Sequence, residues 1–77
     1  MMVKAFVMIN VKVGTDTEVA RKLRSVPNVL AVYDVYGTYD LIAELEAPTL
    51  AELYDTLSTG VRSLDDIVST HTLMSVR

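Results

Sequence analysis

This 77-residue chain has no cysteine and no tryptophan, one histidine, three glycines and two prolines, and each shortage removes a class of explanation. Without cysteine there is neither a disulfide framework nor a thiolate site for zinc. His71 is the sole imidazole, and no acidic partner stands at a recognisable ligand or acid–base spacing from it, so it reads as an ordinary strand residue. Ser58, Ser63, Ser69 and Ser75 lack the G-x-S-x-G setting of an activated nucleophile. Gly14, Gly37 and Gly60 are too widely spaced to form a glycine-rich phosphate loop, so no nucleotide is expected. No cofactor, no metal and no enzymatic activity are expected.

Basic charge is also scarce. Seven Lys and Arg stand against ten Asp and Glu, giving a net charge of −3, and no basic stripe is present, which argues against direct nucleic-acid binding. No apolar run reaches the roughly 18 residues of a membrane span. The apolar start, MMVKAFVMINVKV, is interrupted by Lys4, Asn10 and Lys12 and has no cleavage site, so it is not a signal peptide and the expected location is cytoplasmic.

What the chain does have is apolar residues, at 51% of the total. A chain this short forms a single small domain, 1–77, which buries only about 60% of its unfolded surface. That is too little to hide so apolar a composition, so self-association is expected.

Residues Val3 to Val13 alternate as a strand, with Val3, Ala5, Val7, Ile9, Val11 and Val13 on one face and Lys4, Phe6, Met8, Asn10 and Lys12 on the other. Phe6 and Met8 require a partner for the second face as well. Gly14 ends the strand, and Thr15-Asp16-Thr17-Glu18 fits a capping box before a helix with Val19, Leu23 and Val26 on its apolar stripe, ended by Pro27-Asn28. Val29 to Tyr36 and Tyr39 to Glu46 are strand-like runs separated by Gly37-Thr38, a spacing that predicts a two-residue type II′ hairpin. Thr49 to Glu52 forms a second capping box behind Pro48, opening a helix with Leu50, Leu53, Leu57, Val61 and Leu64 on one stripe. Gly60 inside that stripe costs about 1 kcal/mol relative to Ala or marks an early end. Ile67 to Val76 alternates as the last strand. Ser25 to Val32 and Ser63 to Thr70 are loosely similar, a faint internal repeat.

The order βαββαβ predicts an α+β, ferredoxin-like two-layer sandwich with an antiparallel sheet and both helices on one face. The other face, with Phe6, Met8, Ile42 and Leu73 beside Asp34, Asp40 and Glu44, suits sheet-on-sheet pairing, as in a dimeric α/β barrel. The acidic group Asp34, Asp40, Glu44 and Glu46 lacks the dense loop spacing of a calcium site and reads as a solvated or interface edge.

Several segments together carry a resemblance: Ala5-Phe6-Val7, Val26-Pro27-Asn28-Val29, Val32-Tyr33, Gly37-x-Tyr39-Asp40-Leu41 and Thr70-x-Thr72. Over nearly the whole chain this pattern resembles the effector-binding (RAM) domain of the Lrp/AsnC transcription regulators, in a stand-alone form without the helix-turn-helix domain. The resemblance implies a homo-oligomer, with dimers assembling to tetramers or octamers and amino-acid effectors held between dimers. It also implies co-assembly with full-length Lrp/AsnC relatives, and hence a part in transcription regulation. By the same resemblance, Gly37, Thr38, Tyr39, Asp40, Thr70 and Thr72 line the effector site. Their chemistry suits an α-amino acid: turn N–H groups and Thr hydroxyls donate to its carboxylate, and Asp40 accepts from its ammonium. Asp40 reads as a solvated strand-end carboxylate whose loss leaves the fold intact. Two positions depart from the family's pattern, Thr38 where an acidic residue is usual and Asp65-Asp66 where a Pro-Gly pair is. A small dimeric α/β-barrel enzyme of monooxygenase or isomerase type, or a purely structural oligomerisation domain, shares the topology and is the alternative.

Overall fold

Alternation along the first strand decides which side of the sheet is covered. A computed structural model describes residues 2–75, in which β1 (Val3–Val11) lies between β3 (Leu41–Ala47) and β4 (Ile67–Ser75), with β2 (Val29–Asp34) at the far edge beyond β3. All neighbouring strands are antiparallel. Ala5, Val7 and Ile9 face the helices and are fully buried, opposite Leu45, Ala43 and Leu41 on β3. Val19, Ala20 and Leu23 of α1 (Asp16–Arg24) and Leu53 of α2 (Leu50–Asp55) close over them. Each fully buried Leu or Ile contributes about 1.5–3 kcal/mol. This is the ferredoxin-like βαββαβ sandwich that the element order predicts.

The strand and helix limits differ from expectation for local reasons. β1 ends at Val11 rather than Val13, which is fully exposed just before Gly14 turns with φ +82°. The first capping box does not form. Thr15 has φ −104° and ψ 0°, too far from extended to cap, and its hydroxyl donates instead to the Lys12 carbonyl at 2.7 Å, while Glu18 pairs with Arg21 one turn on. Thr49 is extended at φ −136° and ψ 158°, and its hydroxyl accepts from the Glu52 N–H at 3.1 Å as expected. Val76, the expected end of the last strand, lies outside the described residues.

The expected two-residue hairpin is instead a six-residue loop, residues 35 to 40, between Asp34 and Leu41. Gly37 does take a positive φ, +112°, but the chain closes only where the Val35 N–H donates to the Asp40 carbonyl at 3.1 Å. The cause is Asp40. Its N–H donates to the Ile9 carbonyl at 3.0 Å and its carboxylate accepts from the Val11 N–H at 2.9 Å, so it is committed to β1 and the preceding residues arch outward.

The internal repeat has a structural counterpart. The Val29 N–H donates to the Val26 carbonyl at 3.2 Å, and the Ile67 N–H donates to the Leu64 carbonyl at 3.3 Å, so turns with the same hydrogen-bond spacing feed β2 and β4. Asn28 makes the first of these turns at φ +74°, a conformation Asn tolerates better than most residues. Its amide donates to the Thr56 hydroxyl at 3.0 Å, which in turn donates to the Glu52 carbonyl at 3.1 Å. That chain of bonds ties the tail of α1 to the second helix.

Beyond Asp55 the second helix widens into a π-helical segment, Thr56–Val61, and does not stop at Gly60. A β-carbon placed on Gly60 falls 2.5 Å from Val26 Cγ1, so glycine is required there by close approach. Helix propensity favours Gly60→Ala by about 1 kcal/mol, whereas overpacking against the stiff Val26 costs about 1–3 kcal/mol. The expected outcome is net destabilisation in urea titrations, and a smaller loss when the same change is made in a Val26→Ala background.

Candidate functional site

The face of the sheet turned from the helices carries two rows of side chains. Pairing places Ala31, Glu44, Phe6 and Leu73 side by side, and next to them Tyr33, Ile42, Met8 and His71. Phe6 is 39%, Tyr33 50% and Leu73 61% exposed, a contiguous apolar stripe that no element of the chain covers among the described residues. Glu44 sits within it, its carboxylate 3.2 Å from the Lys4 ammonium and accepting from the Tyr33 hydroxyl at 3.4 Å. Of the acidic residues expected on this face, Asp34 instead pairs with Leu41 on the helix side, and Asp40 is tied to the end of β1.

The six residues matched to an effector site occupy different sides of the sheet. Gly37 and Thr38 are exposed at the top of the arched loop. Tyr39 folds toward the outer face, where its ring meets His71 edge-on with centroids 5.8 Å apart. Thr70 lies opposite Ile9 and Thr72 opposite Val7, so both are half-buried on the helix side of edge strand β4. Only Asp40 lines the open cavity of about 640 Å³ at the end of the sheet, where the β1–α1 and β2–β3 loops meet.

Lys12, Gly14, Asp16 and Tyr36 line that cavity with Asp34 and Asp40 and were not singled out from the sequence as site residues; Asp34 reads there only as part of a solvated or interface edge. The signal that finds them is topological. β1 and β3 are antiparallel neighbours paired at Ile9 and Leu41, so the residues after Val11 and those before Leu41 must share one end of the sheet. Among the described residues no three His, Asp or Glu side chains come close enough to share a metal ion. On the exposed face of α1, away from the cavity, the hydrogen bond between Arg21 and Glu18 holds the Glu18 carboxyl below its usual range and raises the Arg21 guanidinium.

Asp40 is therefore structural as well as chemically able to accept from a cation, contrary to the solvated role expected of it. Its bond to the Val11 N–H is charge-assisted, and such bonds contribute about 1.5–3 kcal/mol. Asp40→Ala is expected to lower unfolding free energy by that amount. Asp40→Asn, which keeps an acceptor, is expected to lose less, and equal stability of Asp40→Ala and wild type in denaturant titration would refute the tether.

Residues 4–77 match the Lrp/AsnC ligand binding domain family model. The chain is 34% identical over 73 residues to the HTH-type transcriptional regulator FL11 of Pyrococcus furiosus, covering 95% of this chain and 48% of that protein. It is 36% identical to the regulatory protein AsnC of Haemophilus influenzae, covering 94% and 49% respectively. The chain thus spans about half the length of these curated relatives. The crystal structure of hypothetical protein PHS023 from Pyrococcus horikoshii superposes with a TM-score of 0.93 at 35% identity, over 97% of this chain and 90% of that one.

Proposed function

This chain belongs to the Lrp/AsnC ligand-binding domain family, and on that premise we propose that it is a non-enzymatic sensor module that binds a small amino acid or related metabolite and works as a homo-oligomer. The observation that carries the reading is the uncovered outer face. Phe6, Met8, Ile42, Tyr33 and Leu73 form a stripe of the kind that monomers rarely expose, with the ion pair of Glu44 and Lys4 set into it. A second copy of the same sheet suits it.

The proposed effector contacts are Gly37, Thr38, Tyr39 and Asp40 from the loop and Thr70 and Thr72 from β4. Their division between the two sides of one sheet supports a ligand held between copies rather than inside one protomer. His71 meets an aromatic ring, an environment that orients no proton transfer, and this supports the non-enzymatic reading. Through its family the module serves transcription regulation, in partnership with relatives that carry a DNA-binding domain.

Two measurements test these halves separately. Phe6→Glu together with Met8→Glu is expected to dissociate or unfold the protein, and light scattering that finds wild type monomeric at micromolar concentration would sink the assembly. A thermal-shift screen of the twenty amino acids is expected to yield at least one saturable stabilisation, about 2.7 kcal/mol when the ligand stands at about 100 times its Kd. No shift with any of them favours a purely structural oligomerisation domain.

A further inference from the structure

We propose that His71 makes the assembly of this chain sensitive to acid, the neutral imidazole permitting sheet-on-sheet packing and the protonated one opposing it; this rests on the oligomer read above and adds a control to it. His71 is the only imidazole in the sequence, and imidazole is the side chain whose ordinary titration falls between pH 5 and 8. Its place is on the outer face of the sheet. It lies opposite Met8 across the pairing of β1 and β4, in the row that continues through Ile42 to Tyr33, with Leu73 in the neighbouring row of β4. The ring is exposed in a single copy, so a second sheet laid over the stripe removes water from it. An uncharged ring bears that loss at little cost, whereas an imidazolium needs a counter-charge to bear it.

Among the described residues no counter-charge stands beside it. The group in contact is the Tyr39 ring, edge-on with centroids 5.8 Å apart, an aromatic partner without charge in this pH range. Asp40, next to Tyr39 in the loop, gives its carboxylate to the Val11 N–H. On either side of Met8, β1 carries Phe6 and Asn10 on this face, and the Asn10 amide donates to the Ser69 hydroxyl at 3.2 Å. From β3 come Ile42, Glu44 and Glu46, and from β2 comes Tyr33. Glu44 is two strand spacings across and one row along, roughly 12 Å by sheet dimensions. That exceeds the screening length of about 8 Å at physiological salt, and the Glu44 charge is already met by Lys4 at 3.2 Å. Glu46, opposite Lys4, is one row farther still. A second copy brings the same groups, its own Glu44 again held by Lys4. Covering the ring lowers the pH at which it takes up its proton. The assembly is therefore fully present above the ordinary imidazole value and is lost as pH falls through it.

The test is sedimentation analysis of the whole chain at pH 7.5, 6.5 and 5.5 at constant ionic strength, with NMR titration of the His71 ring protons at two protein concentrations. For a free imidazole value of about 6.5, going from pH 7.5 to 5.5 is expected to weaken association about tenfold for each imidazole covered, hence about a hundredfold for a pair of copies. His71→Gln, and His71→Phe, which keeps a ring against Tyr39, are each expected to associate almost equally at the two pH values. The wild-type ring-proton midpoint is expected to fall as protein concentration rises. A midpoint that does not move with concentration overturns the inference and requires no variant. Wild type that associates equally at pH 7.5 and 5.5, or more tightly in acid, also overturns it and leaves the assembly standing, as does the same acid weakening in the variants. A wild-type chain that is monomeric at micromolar concentration at every pH removes the assembly reading, and the inference with it.

Discussion

A central strand that is apolar on both faces cannot be satisfied by one layer of helices, and β1 is such a strand. Its odd residues, Ala5, Val7 and Ile9, are buried under α1 and α2. Its even residues, Phe6 and Met8, are left on the opposite face beside Ile42, Leu73 and His71. The strand period of two makes this division unavoidable, since a one-residue slip would exchange the two sets wholesale. Glu44 keeps the outer face from being uniformly apolar. Held by Lys4 and Tyr33, it brings a paired charge into the stripe, and such groups set the register of a sheet packed against them more than they add to its stability.

The end of the same strand shapes the candidate site. Val11 gives its N–H to a side chain, the Asp40 carboxylate, rather than to a strand backbone carbonyl. Because Asp40 also uses its own N–H on Ile9, the loop before it cannot close as a tight hairpin and stands away from the sheet. The space beneath that arch, bounded by Lys12 and Gly14 on one side and Asp34 and Tyr36 on the other, is the cavity. One polar tether thus fixes the strand end, the loop shape and the position of a carboxylate.

The element order is legible in the sequence because each element repeats a pattern: period two in Val3 to Val11, and i, i+4 spacing in Val19 and Leu23 and again in Leu53, Leu57 and Val61. Capping is less legible. Thr15 and Thr49 present the same box, yet only Thr49 reaches the extended backbone from which a hydroxyl can cap. The arched loop is illegible locally, because its cause is a side-chain bond between residues 29 apart in the chain. Gly60 looks like a helix defect in one dimension and is a packing contact with Val26 in three. The family pattern points to the loop and to Thr70 and Thr72, but it carries no information about the cavity charge contributed by Lys12, Asp16 and Asp34.

The division of the proposed site across one sheet has an energetic consequence for a chain this small. Thr70 and Thr72 face the helix side of an edge strand, and Tyr39 touches the outer face through His71. A ligand completed by groups from two copies binds only the assembled form, so it stabilises assembly by mass action, and assembly raises its apparent affinity by the same factor. Tyr39 and Asp40 are adjacent in sequence yet fixed to different strands, one by its ring to β4 and the other by its carboxylate to β1. A shift of this loop would therefore pull on a residue of the outer face directly. In the proposed oligomer, differential contacts at the loop would shift the equilibrium between copies.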